Sequence, residues 1–270
     1  MFLPDNIDFA QSKKYILSIR LTPNGFYFSI HCPSESKIFY QNRVAFSSKD
    51  TYIKNIEKFI FDYSFFTHNF LRVNVIQVSD KTTFVPNEFY HKNFESNLLS
   101  FNFHCATSKV LSNSIENLNC KVIWEIDESQ HDFLSRSLLN PIFKSHLSIL
   151  TTFFYHIHNK DNSALYINFN DDYLIDAIAF SGEKLILAKT FTSKSILEDT
   201  FFIQKIWEVL EMDVQHDKLF FSGNTNNHNA SIETLRKIVP HSKKLSLDLP
   251  EGLEISQSEV PTEIAHQLCV

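Results

Sequence analysis

The sequence predicts an α/β protein made of two tandem copies of one unit: three strands, a helix, a strand and a helix. Three observations carry that expectation. The order of strand-like and helical segments in the first half recurs in the second. Phe46-Ser47-Ser48-Lys49 and Phe191-Thr192-Ser193-Lys194 stand at the same place in the two halves, between the third strand and the first helix. Hydrophobic residues make 43% and charged residues 21% of the 270 positions, a globular composition long enough for just under two domains at roughly 150 residues each.

In the first half, Tyr15–Arg20 and Phe26–Cys32 are strand-like runs on either side of Thr22-Pro23-Asn24-Gly25, a hairpin turn signal. A third strand is expected at Ile38–Phe46. Ile53, Ile56, Ile60 and Tyr63 recur at three- and four-residue steps, which predicts a helix from about Asp50 to Tyr63. Leu71, Val73 and Val75 alternate with Arg72 and Asn74 as a strand does, and a second helix is expected after Pro86.

The second half repeats the order. Leu165–Phe169, the turn Asn170-Asp171-Asp172, Leu174–Phe180, the turn Ser181-Gly182-Glu183 and Leu185–Thr190 form the three strands. A helix opens at Ser195, with Glu198 three residues on as a capping box, and carries the stripe Ile203, Ile206, Trp207 and Leu210. A strand at Leu219–Phe221, a helix at Ser231–Val239 and a strand alternating at Leu245, Leu247 and Leu249 complete it. Between the halves lie a strand at Lys121–Ile126, a helix near His131–Leu139, and a longer helix capped by Asn140-Pro141 with the stripe Phe143, Leu147, Leu150, Phe154 and Ile157. No Gly/Ser-rich linker separates the halves, so they are expected to pack on each other. The boundary is placed near Asn159–Asn162, giving units 1–159 and 160–270.

Composition excludes several activities. Four glycines in 270 residues, Gly25, Gly182, Gly223 and Gly252, each stand alone, whereas phosphate-cradling loops need several together so that backbone can approach the anion. A P-loop, a dinucleotide fingerprint and a kinase-type glycine loop are absent. A net charge of −6 without a basic block argues against nucleic-acid binding. Cys32, Cys105, Cys120 and Cys269 include no CxxC pair and are expected to be reduced thiols in a cytoplasmic protein. Met1–Gln11 lacks the apolar run of a signal peptide, and no stretch reaches the length of a membrane helix, so no membrane association is expected.

Three antiparallel strands, a helix, a strand and a helix is the order of the ribonuclease-H-like fold, and two such units in tandem resemble the actin-like ATPase superfamily. The chain is also similar to a family of uncharacterised bacterial proteins, domain of unknown function 3822. The residues that carry this are Leu17-Ser18-Ile19-Arg20-Leu21 with Gly25-Phe26, Lys121–Ile126 with Phe133-Leu134, Phe143 with His146-Leu147, Leu165–Phe169, and the helix centred on Trp207. The resemblance implies a duplicated α/β fold and a cytoplasmic bacterial setting, and no activity.

Actin-like ATPases hold nucleotide between two hairpin turns, each carrying an Asp that orients Mg²⁺ or water and small residues whose N–H groups meet phosphate. The resemblance places Arg20 at the first Asp, and Pro23, in the turn with Asn24, has no N–H to donate. Asn168 replaces the second Asp, and Asp171 and Asp172 stand where the superfamily has glycines. Phe221-Ser222-Gly223-Asn224-Thr225 resembles the turn that meets adenosine but has one glycine. A ribonuclease-H-type nuclease needs a carboxylate on the first strand for its metals, and neither Tyr15–Leu21 nor Leu165–Phe169 offers one. Other candidates are weaker. His156 and His158 point about 200° apart on a helix and would not share a metal there. Asp171, Asp172 and Asp176 are read as a solvated hairpin tip, and Asn226-Asn227-His228-Asn229 as a solvated loop.

The expectation is therefore a pseudoenzyme: a non-catalytic protein with a degenerate actin-like double fold that binds another protein and needs no cofactor or metal. Arg20, Asn24, Asn168, Asp171, Asp172 and Gly223 would be vestigial cleft positions. The alternative is a divergent nucleotide-binding ATPase or kinase-like protein. A third reading is a homodimer assembled through exposed strand edges.

Overall fold

The computed structural model describes residues 7–103, 108–170, 173–246 and 260–268. Its first sheet takes β1 (Ile16–Thr22), β2 (Gly25–Cys32), β3 (Glu35–Ala45), β4 (Arg72–Gln77) and β8 (Ile142–Ser145) in the order β3-β2-β1-β4-β8. The second takes β9 (Ser163–Phe169), β10 (Leu174–Ser181), β11 (Lys184–Thr192), β12 (Lys218–Gly223) and β13 (Lys243–Lys244) in the order β11-β10-β9-β12-β13. The two orders are the same, so the repeat expected from the sequence is present in space. In each sheet the first three strands are antiparallel and the next joins the first in parallel.

Local chemistry sets these elements. Thr22 pairs with Gly25 across a two-residue loop, so Pro23-Asn24 is the hairpin turn. A Cβ at Gly25 would lie 2.2 Å from the Val44 carbonyl oxygen, so only glycine fits where β3 passes. Helix α1 (Tyr52–Asp62) starts from Thr51, whose side chain accepts from the Lys54 amide at 3.4 Å, and buries Ile56 and Ile60. Leu17, Ile19 and Leu21 of β1 share that core, while Ser18, Arg20 and Thr22 alternate onto the opposite face of the sheet. In the second sheet Leu165, Ile167, Ile175 and Ala177 pack with Ile203 and Trp207 of α5 (Ile196–Val209) and with Ile232 and Leu235 of α6 (Asn229–Ile238).

A smaller sheet, β5 (Thr82–Pro86), β7 (Cys120–Asp127) and β6 (Ser108–Ile115), is inserted between β4 and β8. It carries α2 (Glu95–Asn102) and is followed by α3 (Glu128–Ser137). The sequence pattern shows β7 but neither β5 nor β6, and the helix expected after Pro86 begins only at Glu95, after two short 3-10 turns.

The helix expected from Asn140-Pro141 is a correction. Residues 142–145 are strand β8, paired in parallel with Asn74–Gln77, and α4 (His146–Ile157) is capped at Ser145, five residues later than the Asn140 cap implied. Without β8 the outer edge of β4 would leave buried backbone groups without partners. Among the described residues β13 is only two long, with Leu245 adding one bond from its amide to the Phe221 carbonyl at 2.7 Å. Leu247 and Leu249 lie outside the described residues.

The two sheets meet through α4 and α7 (Thr262–Leu268). Leu147, Leu150 and Phe154 of α4 form a third apolar cluster with Tyr166, Ile178 and Phe180 of the second sheet and with Ile264 and Ala265 of α7. This joint brings the polar face of β1 against the polar ends of β9 and β10. No helix among the described residues is long and apolar enough to cross a membrane.

Candidate functional site

The floor of the cleft between the sheets is a continuous buried hydrogen-bond network. Asp176 of β10 is wholly buried, and both of its oxygens are saturated. Thr190 Oγ1 donates to Oδ1 at 2.6 Å, and His146 Nε2 lies 2.9 Å from the same oxygen. Asn168 Nδ2 at 3.0 Å and Asn170 Nδ2 at 2.6 Å donate to Oδ2. Burial opposes ionisation, but the His146 ring and these donors outweigh it and hold the carboxyl below its ordinary range. His146 Nδ1 faces the Gln77 carbonyl of β4 at 3.2 Å. Both ring nitrogens thus face oxygen acceptors, and α4 is pinned to both sheets.

Arg20 continues the network into the first sheet. Its Nη2 donates to Asn170 Oδ1 at 2.8 Å and its Nε to Glu263 Oε1 of α7 at 2.5 Å. Arg20 is 1% exposed and Glu263 0%, so this is an ion pair removed from water. Asn168 Oδ1 accepts from Thr262 Oγ1 at 2.7 Å and from Ser222 Oγ at 3.0 Å. Helix α7 is therefore held at the floor by two adjacent side chains, one binding each sheet. Gly223 completes this end. Its φ is +73°, and a Cβ there would meet Phe169 O at 2.3 Å and Asn168 Oδ1 at 2.8 Å.

Above the floor the cleft opens into a cavity of about 400 Å³. Its walls include Arg43 from β3, Lys194 ahead of α5, Asn170, the turn residues Asn224 and Asn227, and His228. Arg43 lies over the Tyr27 ring at 5.3 Å, and Arg20 lies 5.4 Å from the same centroid, so Tyr27 joins floor to mouth. Asp199 is the carboxylate among the described lining residues. Ser193 Oγ donates to its Oδ1 at 2.6 Å, while His228 Nδ1 at 2.7 Å and Ser231 Oγ at 2.8 Å meet Oδ2. Its burial favours the neutral form, yet these partners keep its carboxyl below the usual range. His228 also stacks on Phe169 at 4.2 Å.

Residues 4–241 match the family described as "Protein of unknown function (DUF3822)". The chain belongs to this family. No curated protein matches the sequence. A protein of unknown function from Bacteroides thetaiotaomicron, whose crystal structure has an actin-like ATPase fold, is similar to it at 22% identity and a TM-score of 0.83, covering 97% of this chain and 98% of that one. A chain of the PilM–PilN type IV pilus biogenesis complex is similar at 8% identity and a TM-score of 0.56, covering 95% of each. At such identities these likenesses establish the fold alone: an actin-like ATPase architecture.

In this member of the family, Arg20, Asn168 and Gly223 come together at the cleft floor. Asn24 lies apart, in the β1–β2 turn, and Asp171 and Asp172 lie outside the described residues. Asp176 is not part of a solvated tip: it faces inward from β10 and is the most heavily bonded carboxylate of the floor. His228 is not a solvated loop residue either, being paired with Asp199. His158 hydrogen-bonds Tyr166 Oη and the Gly182 carbonyl, both at 3.1 Å, and burial lowers its pKa, as for a satisfied core histidine. Cys32 and Cys120 are free and buried, and burial pushes the Cys120 thiol up to about 11; Cys105 and Cys269 lie outside the described residues. Glu263, Thr262, His146 and Thr190 were missed by motif reading. The available signal was Arg20 itself, since an arginine in a strand otherwise free of charge needs an acceptor once that strand is buried.

Proposed function

We propose that this protein is a non-catalytic, protein-binding member of the actin-like fold whose cleft floor is closed by its own side chains. The observation that carries this is the Arg20–Glu263 ion pair. Where the resemblance expects an Asp orienting metal or water, the chain has a guanidinium, and α7 supplies the carboxylate that matches it. The amide of Asn168 takes the second such position and is engaged by Thr262 and Ser222. A Mg-nucleotide seated there would have to break a buried ion pair and strand its members, at a cost of about 3–5 kcal/mol. The PilM–PilN complex contains a chain of this architecture within an assembly, which supports a binding role without naming a partner here. We place the protein in the cytoplasm, a setting that suits the free thiols of Cys32 and Cys120 and that cell fractionation tests.

A second reading is a divergent nucleotide-binding ATPase or kinase-like protein. What favours it is the cavity of about 400 Å³ beside the Gly223–Asn224 turn, a volume in the range of small-ligand sites. Isothermal titration with Mg-ATP decides between the two. The first reading expects no saturable heat up to millimolar nucleotide. Saturable binding with a Kd below about 1 mM (roughly 4 kcal/mol) overturns it in favour of the second.

A further inference from the structure

One pair at the mouth of the cleft has the form of an oriented histidine. Asp199 is 2% exposed; its Oδ1 accepts from Ser193 Oγ and its Oδ2 from Ser231 Oγ, so the carboxylate is fixed independently of His228. His228 Nδ1 lies 2.7 Å from Oδ2, and the ring stacks on Phe169 at 4.2 Å between centroids. A carboxylate only accepts, so Nδ1 is the donor and holds the proton of the neutral ring. Nε2 is then a bare lone pair on the edge away from Asp199. It has no partner among the described residues, and the side chain is 20% exposed where it lines the cavity.

The other lining groups narrow the ligand. Ser193 is spent on Asp199, and Asn170 on Asp176 and Arg20. The side chains of Asn227 and Lys194 line the same cavity and have no partner among the described residues. The unspent groups are thus an acceptor at His228, a donor at Lys194, and an amide at Asn227 that is both. An ionised carboxylate cannot donate to Nε2, and an ammonium cannot accept from Lys194. A hydroxyl does both, and adjacent hydroxyls on one ring do so repeatedly. Hydrogen-bond direction, not the sum of charges, selects this ligand. At the lip Tyr173 is held at φ +63°, uncommon for a bulky residue, with its carbonyl accepting from the Ser193 amide at 2.8 Å. Its exposed ring offers a flat apolar face to the C–H side of such a ligand. The cavity of about 400 Å³ is in the range of small-ligand sites.

We propose that the cavity binds a neutral polyhydroxylated ring of monosaccharide size, with one hydroxyl donating to His228 Nε2. Asn227 and Lys194 hydrogen-bond neighbouring hydroxyls. Asp199 is a positioning residue: it acts through His228, by holding the tautomer that leaves Nε2 an acceptor. The site goes beyond the protein-binding reading above and does not depend on it.

The test is nitrogen–proton correlation NMR on the full-length protein with isotope-labelled histidine, at about pH 8, above the ordinary histidine value. His228→Gln assigns the resonances. The proton is expected on Nδ1 and not on Nε2. Glucose, N-acetylglucosamine, ribose and myo-inositol are then titrated in turn, and at least one is expected to shift Nε2 saturably, with a Kd of about 1 mM or below. Asp199→Asn places an amide NH₂ against Nδ1 and moves the proton to Nε2, which its own spectrum shows; affinity is expected to fall by about tenfold or more. Asn227 is exposed, so Asn227→Ala should keep the wild-type melting temperature and weaken binding by about threefold or more. It decides the matter alone if Asp199→Asn does not fold. A proton on Nε2 in the wild type overturns the proposal, as does a His228 that none of the polyols shifts. Binding that survives the move of the proton, or that Asn227→Ala leaves unchanged, also overturns it. Adenosine shifting His228 where the polyols do not overturns it in favour of the nucleotide reading. The protein-binding reading is decided separately, by the Mg-ATP titration.

Discussion

At the floor of the cleft Arg20 and Glu263 are 1% and 0% exposed and face each other at 2.5 Å, and Asp176 accepts from four side chains. At the mouth, Arg43 and Lys194 are exposed, and Asp199, the carboxylate among the described lining residues, is engaged by Ser193, His228 and Ser231. Tyr27 stands within 5.4 Å of both guanidiniums, so the two environments are separated by one aromatic ring. The difference teaches which charges hold the fold together. Buried charges must be matched from within, because their desolvation is not otherwise recovered; charges at a wet rim keep their hydration, and a pair formed there adds little to stability. The floor is thus part of the fold, and the mouth contributes far less to holding it together.

The comparison breaks most directly at Glu263. Glu263→Ala leaves the Arg20 guanidinium buried without its carboxylate, and is expected to cost about 3–5 kcal/mol in urea unfolding. Replacing both members, Arg20→Met with Glu263→Met, should recover most of that loss. A small effect of Glu263→Ala would mean that α7 is not held at the floor by this pair.

Asp176→Asn comes next. The amide keeps an acceptor but loses the charge that faces His146, and puts an NH₂ against donors; a loss of about 2–3 kcal/mol is expected at neutral pH. The sign with pH follows from the depressed carboxyl. The unfolded chain takes up the proton near the ordinary value of about 3.9, while the native state resists it. Asp176 therefore stabilises fully above that value, and the contribution is lost as pH falls through the lower native pKa. Acid unfolding followed by circular dichroism should show a shallower acid limb in Asp176→Asn than in wild type.

His31 sharpens the contrast by solving burial differently. It is 5% exposed, and burial first, then the charge of Arg72, lowers its pKa to about 4. The floor keeps its charges and pairs them; His31 stays neutral. Between about pH 6.5 and 4 the unfolded chain binds this proton and the native state does not, so stability falls on acidification by at most about 1.4 kcal/mol per pH unit. His31→Gln should remove that slope in stability measured across the window, and an unchanged slope would show that another group sets it.

The architecture was legible because both hairpins and the helices after them carry local signals: the Pro23-Asn24 turn, the Ile56/Ile60 stripe, and the Ser195 cap, whose Oγ accepts from the Glu198 amide at 3.2 Å. The strand β8 was not, because four residues are too few to show a period and Phe143 satisfies a helical stripe equally well. The 27 phenylalanines carry no period that assigns them to one element, yet several converge in space. Phe26, Phe28, Phe59, Phe65 and Phe66 form one cluster, with Phe65 and Phe66 stacked at 4.2 Å. For the site, Arg20, Asn168 and Gly223 were accessible through their places in turns and strand ends. Their partners were not. Glu263 is 243 residues from Arg20, and Asp176, close in sequence to the Asp171-Asp172 turn, reads as part of a hairpin tip, whereas it stands inside a strand buried on both faces.

Lys194→Ala is the smallest perturbation and the complement of Glu263→Ala. The side chain is exposed, at the rim rather than within the network, so its removal strands no buried group. Urea unfolding should place the variant within about 0.5 kcal/mol of wild type, whereas any change that unpairs a charge at the floor should exceed that several-fold. The two sites are close in space, so the contrast tests burial and pairing rather than position. A Lys194→Ala variant as destabilised as Glu263→Ala would mean that the mouth, too, is held together by its charges.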